Sequence, residues 1–109
     1  MKPEPGSLKN LPDFEPFHGY HGKMVHSETM TIGHWKIDRD SPVPHHSHHH
    51  EQIVNVIAGE YELTVDGTPH LLRAGDFFVI PGNVPHSGRA LTECHLIDVW
   101  HPPRDDYRS

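Results

Sequence analysis

The chain has 109 residues, of which 34% are hydrophobic, with 11 Pro and 9 Gly. That length suits one domain with a modest core, and the composition excludes a helical bundle in favour of short strands joined by many turns. A formal net charge of −6 with His neutral excludes electrostatic attraction to nucleic acid or to an anionic membrane surface.

Residues 1–23 are rich in Pro, Gly and charge, and predict an irregular arm whose Phe14, Phe17 and Tyr20 pack on the body of the protein or on a second subunit. The segment Met1-Lys2-Pro3-Glu4-Pro5 lacks an apolar leader, and no 18-residue apolar run occurs, so a cytoplasmic protein without a membrane partner is expected. Residues 24–109 are expected to form the single folded domain. Met24–Ile37 reads as one or two strands, with Thr31, Gly33 and Trp35 sharing a face. Residues 38–44 form a turn, and Pro44 biases Val43 toward extended geometry, feeding the following His run into a strand.

That run is His45-His46-Ser47-His48-His49-His50-Glu51-Gln52. In an extended segment the even spacing of His46, His48 and Gln52 points all three to one face. Imidazole suits Zn, Cu, Fe and Ni, and Gln offers a neutral carbonyl oxygen. Glu51 is one residue out of phase and is expected to face the other way. His45, His49 and His50 read as rim or structural residues.

Gln52–Ile57 has a buried-strand pattern, Ala58-Gly59-Glu60 a turn, and Tyr61–Val65 an alternating strand. Asp66-Gly67 is a hairpin signal, with His70–Arg73 as the return strand. Phe77–Ile80 is a short apolar strand ended by Pro81-Gly82-Asn83. A further strand starts at His86, and the last spans Glu93–Trp100. Turn signals every 8–12 residues indicate an all-β sandwich or barrel. The lone Cys94 excludes an intrachain disulfide and reads as a buried thiol. Asp98 and Trp100 share a strand face with Cys94 and Leu96. A carboxylate on an inward face beside a metal is a candidate general acid or base, and Arg104, after Pro102-Pro103, can fold over the mouth and bind a carboxylate.

The pattern His46-x-His48-x3-Gln52-x6-Gly59, followed by Gly75-x5-Pro81-x4-His86, resembles the two signature motifs of the cupin superfamily. The resemblance implies a single-domain β-barrel of jelly-roll type, with a divalent transition metal (Zn, Ni, Fe or Mn) on His46, His48, Gln52 and His86. Asp40 and Asn83 stand where the family has Gly, Ala90 where Asn is common, and Gln52 where Glu is common. An amide ligand leaves the ion's charge uncompensated, which favours Lewis-acid over oxygen-activating chemistry. The phrase Asp98-Val99-Trp100-His101-Pro102-Pro103-Arg104 is similar to that of the small pectin- and alginate-degradation cupins that linearise 4,5-unsaturated monouronates, although their aromatic is more often Phe.

This second resemblance implies an isomerase-type enzyme acting on a small anionic sugar, with Asp98, Trp100 and Arg104 as catalytic or substrate-contacting residues. Alternatives are an Fe(II)-dependent cupin dioxygenase and a non-catalytic metal- or sugar-binding cupin. Small cupins are commonly dimers, so a homodimer is expected, with arm or edge-strand exchange covering a sheet edge.

Overall fold

A computed structural model describes residues 3–108, so Met1, Lys2 and Ser109 of the expected arm and domain lie outside the described residues. The described residues form nine strands: β1 (Tyr20–His26), β2 (Thr31–Ile37), β3 (Pro42–His46), β4 (Glu51–Ala58), β5 (Glu60–Val65), β6 (Thr68–Arg73), β7 (Phe77–Ile80), β8 (His86–Ala90) and β9 (Cys94–His101). They make two antiparallel sheets, one ordered β1-β2-β9-β4-β7 and the other β3-β8-β5-β6. No α-helix occurs among the described residues, and the all-β expectation holds. Among the described residues, no helix is long and apolar enough to cross a membrane.

Period-2 alternation decides what faces inward. In β9, Cys94, Leu96, Asp98 and Trp100 are buried while His95, Ile97 and Val99 are only half-buried. In β2 the buried set is Thr31, Gly33, Trp35 and Ile37. Trp35, Leu96 and Trp100 from the larger sheet meet Tyr61, Leu63 and Val65 from the smaller one in a single core. Phe14 and Phe17 of the arm pack against it, as expected. β1 begins at Tyr20, so residues 20–23, placed in the arm by composition, belong to the larger sheet. Their inward positions are Tyr20 and Gly22, which leaves too little apolar periodicity to betray a strand.

The turns follow their chemistry. Asp66 and Gly67 link β5 to β6 with φ of 49° and 83°, the left-handed pair that a two-residue hairpin requires. Asp40 and Asn83, at φ 67° and 68°, take left-handed geometry where the resembled motifs carry Gly. Asp and Asn are the side chains that tolerate it best.

One expectation is corrected. The His run is not a single strand: β3 ends at His46, residues 47–50 form the link, and β4 starts at Glu51. β3 pairs with β8 and β4 with β7 and β9, so the link carries the chain from one sheet to the other. His46, His48 and Gln52 therefore converge because the chain crosses one end of the barrel, not because they share a strand face.

Candidate metal centre

His46, at the end of β3, pairs in register with His86, at the start of β8. Their ring centroids are 4.3 Å apart, and that of His48 is 4.9 Å from that of His86. One ring nitrogen from each of the three lies within 4.8 Å of the other two. Each ring is held by its own neighbourhood. His46 Nδ1 is 2.8 Å from Pro44 O, His48 Nδ1 is 3.1 Å from His50 O, and His86 Nδ1 is 2.9 Å from Val84 O. A carbonyl only accepts, so each Nδ1 is the protonated nitrogen and each Nε2 carries a lone pair. Backbone carbonyls thus hold all three imidazoles in the ligating tautomer.

Two observations show that these residues fit a cation. His86 Nε2 is buried and has no hydrogen-bond partner. His48 Nε2 lies 3.1 Å from Gln52 Oε1, and with its hydrogen committed to His50 O it has nothing to donate there. Either the amide turns its NH2 inward or a cation lies between the two atoms. A cation also satisfies His86. Two ligand atoms about 2.1 Å from one ion and at right angles are about 3.0 Å apart, so the spacing suits shared ligation. Burial, the Arg104 charge and the His86 ring lower His48 to a pKa of about 4. Burial likewise lowers His86, so both are neutral at pH 7 and available as ligands.

Gln52 is buried on β4 and Glu51 is exposed, the phase the sequence predicts. Of the flanking histidines, His45 and His49 are exposed. His50 is buried, approaches Pro103 O through Nε2 at 3.2 Å, and lends its own carbonyl to His48.

The barrel's central cavity, about 50 Å³, is lined by His46, Gln52 and His86 together with Asp98, Trp100 and Arg104. That volume admits several waters. The structure therefore brings every sequence-derived candidate except His48 to the cavity wall, and His48 reaches the same spot through its contacts with Gln52 and His86. His34 and His101 take no part in the lining.

Asp98 is held by a residue that sequence reasoning did not single out. Trp35 Nε1 donates to Asp98 Oδ2 at 3.0 Å, while Oδ1 is buried without a partner. Burial pushes the Asp98 carboxyl up to about 7, against the opposing pull of the Gln52 amide, the Trp35 indole and the Arg104 charge. In the metal-free protein such a group is near half-protonated at neutral pH and can give or take a proton. Trp100 Nε1 is also buried and unpartnered, leaving an indole N–H for a ligand. Arg104 folds back as expected and is buried, but it already has a carboxylate partner. Its Nε and Nη2 donate to Asp106 Oδ1 and Oδ2 at 3.0 and 2.8 Å. The Tyr107 ring lies 3.9 Å from the guanidinium carbon.

The sequence pattern of the family described as Cupin domain matches residues 33–100. The pectin degradation protein KdgF of Dickeya dadantii is 35% identical over 65 residues, which is 59% of this chain and 59% of that protein. Among solved structures, an RmlC-like cupin from Shewanella frigidimarina superposes with a TM-score of 0.88 at 27% identity, over 94% of both chains. KdgF from Halomonas sp. superposes with a TM-score of 0.85 at 29% identity, over 95% of this chain and 100% of that one. Bacillus subtilis oxalate decarboxylase OxdC, at 19% identity and a TM-score of 0.80 over 94% of this chain and 30% of that one, shares the fold.

Metal analysis of protein dialysed against Zn2+ should give one ion per chain. His86→Ala should weaken that binding by more than the roughly 10–100-fold that losing an outer hydrogen bond costs. In the metal-free protein, unfolded imidazoles take up protons near pH 6.5 while folded His48 resists until about pH 4. At that site the unfolded chain then binds more protons, so this contribution to stability, present above pH 6.5, falls as the pH drops toward 4, whereas Asp98, raised to about 7, acts in the opposite sense over the same window. Urea midpoints of metal-free Asp98→Asn protein at pH 7 and pH 4.5 measure the His48 contribution without the opposing carboxyl; equal midpoints there would contradict the assignment of neutral rings.

Proposed function

The chain belongs to the cupin family, and from that premise we propose that it linearises 4,5-unsaturated monouronates to the 4-deoxy-5-keto acid. The observation that carries this reading is the buried, unpartnered Asp98 Oδ1, on a carboxyl held near neutrality, in the same cavity wall as His86, Gln52 and Arg104. The likeness to two KdgF proteins, one of them described as a pectin degradation protein, supports a sugar acid as substrate.

A divalent ion held by His46, His48, Gln52 and His86 would supply Lewis-acid polarisation of a sugar oxygen. The remaining work falls to the chain's own side chains. Arg104 binds the substrate carboxylate through the edge of its guanidinium not taken by Asp106. Asp98 Oδ1 delivers the proton that C4 of the enol ether gains while water adds at C5. The C5–O5 bond then breaks to leave the C5 ketone and a C1 aldehyde hydrate, which loses that water, so product and substrate are isomers. Trp35 holds Oδ2 and the carboxyl lies beside the Gln52 amide, which leaves Oδ1 as the oxygen that exchanges the proton. Trp100 walls the cavity, with its buried N–H available to a substrate oxygen.

The partner proposed for the outer surface is a second copy of the chain. Val25, Ile32, Val99, Ile53 and Val79 are register neighbours and form an unbroken aliphatic row across all five strands of the larger sheet. Val25 and Val79 at its ends are 41% and 44% exposed, and nearby Phe77 is 66% exposed. Strands about 4.8 Å apart and up to eight residues long give this face about 550 Å² in plan, before the relief of its side chains is counted. That approaches the ~800 Å² per partner of a standard interface.

Two experiments test these proposals. Unsaturated galacturonate should lose its ultraviolet absorbance on addition of metal-loaded protein. Asp98→Asn should keep fold and metal while slowing kcat by about 10²–10⁴-fold. No absorbance loss with either the galacturonate- or the mannuronate-derived substrate, or a variant as fast as the parent, would refute the reading. For the interface, light scattering should show a dimer that Val79→Lys with Val25→Lys converts to a monomer; an unchanged mass would place the contact elsewhere.

A further inference from the structure

We propose that Asp106 is a positioning residue that holds Arg104 with one edge of its guanidinium presented to the cavity, and so sets the affinity for the substrate carboxylate. This inference rests on the uronate reading above and deepens it. Asp106 is itself about half exposed, its side chain 57% accessible, whereas that of Arg104 is only 7% accessible. The pair therefore spans the boundary between solvent and cavity.

A guanidinium has five N–H bonds in a planar fork. The Asp106 carboxylate takes one from Nε and one from Nη2, in the parallel two-bond arrangement. The opposite edge, formed by Nη1 and the second Nη2 hydrogen, remains a complete two-donor fork. Two further contacts fix the plane of the group. The Tyr107 ring lies 3.9 Å from the guanidinium carbon and the Trp100 ring 5.1 Å from it. The main chain is anchored as well, since Arg104 N donates to Thr31 Oγ1 at 2.9 Å and Thr31 is fully buried.

Two opposing effects follow from the Asp106 carboxylate. Its negative charge offsets part of the attraction that Arg104 exerts on an anion. Its two hydrogen bonds also remove the rotamer freedom that a long side chain would otherwise lose on binding. At an exposed carboxylate the Coulomb penalty is screened by water, whereas the geometric restraint is not. Positioning therefore wins, and removal of Asp106 weakens binding.

The test compares the metal-loaded parent with Asp106→Ala and Asp106→Asn. Turnover is followed with unsaturated galacturonate, and calorimetric binding with saturated galacturonate, which cannot react. Circular dichroism and metal content serve as controls. Both variants should raise KM and the Kd of the saturated acid by about tenfold or more. kcat should change by less than about threefold, because the proton-moving group is untouched. A purely structural role would lower the melting temperature without this split between KM and kcat. Unchanged or lowered KM and Kd would overturn the proposal, lowered values making Asp106 a competitor for Arg104. If Asp106→Ala does not fold, the isosteric Asp106→Asn decides. A parent that binds saturated galacturonate more tightly than Asp106→Asn but turns over nothing upholds Asp106 and refutes the ring-opening activity. A parent that binds neither acid overturns the Asp106 role, because Arg104 then receives no carboxylate.

Discussion

Three hydrogen bonds from imidazole Nδ1 to backbone carbonyls govern this molecule. Pro44, His50 and Val84 each lie two residues from the ring they hold, so the tautomer is set locally by turns flanking each ring. The outcome is three Nε2 lone pairs brought close together with no protein donor among them. Lone pairs in that arrangement are unfavourable unless a cation sits between them, and the Gln52 oxygen beside His48 adds a fourth acceptor. A geometry that could hold a cation is thus built into the backbone at the barrel's end, where the chain passes from the smaller sheet to the larger.

The acidic and basic groups of the cavity are kept apart by the same economy. Asp98 and Arg104 are both buried, yet they do not pair with each other. Trp35 satisfies one oxygen of Asp98, and Asp106 satisfies one edge of Arg104. Asp98 is left with Oδ1 free and Arg104 with three of its five N–H donors. An ion pair between them would lower the Asp98 carboxyl and occupy the Arg104 fork, removing at once both of the roles proposed for them. Leaving the carboxyl oxygen unpaired has a cost in stability, which the well-packed core around Trp35, Leu96 and Trp100 sustains.

Much of this was legible in the chain because strand phase and turn chemistry are local. Asp66-Gly67 marked a hairpin through its left-handed pair, and the parity of β4 separated Gln52 from Glu51. Parity also picked out His46 and His48, but for an incorrect reason, since the link at 47–50 bends between sheets rather than continuing one strand. Trp35 escaped notice because its bond to Asp98 spans 63 residues and depends on the β2–β9 register. Asp106 lay in plain view two residues after Arg104. In sequence, however, it is one of two adjacent aspartates, and only the turn at Asp105–Tyr107 decides which of them reaches the guanidinium. His50 read as a rim or structural residue, and the structural role is the one seen, its burial and its approach to the distant Pro103 carbonyl depending on long-range contact.

The most direct measurement is X-ray absorption at the metal edge of the zinc-loaded chain. The account requires a coordination sphere with the multiple-scattering signature of three imidazoles and one further oxygen, all at about 2.0–2.2 Å. Replacing Gln52 with Ala should leave the imidazole count at three while altering only the oxygen shell. A sphere with fewer than three imidazoles would contradict it, because the three rings would then not be oriented for a shared ion.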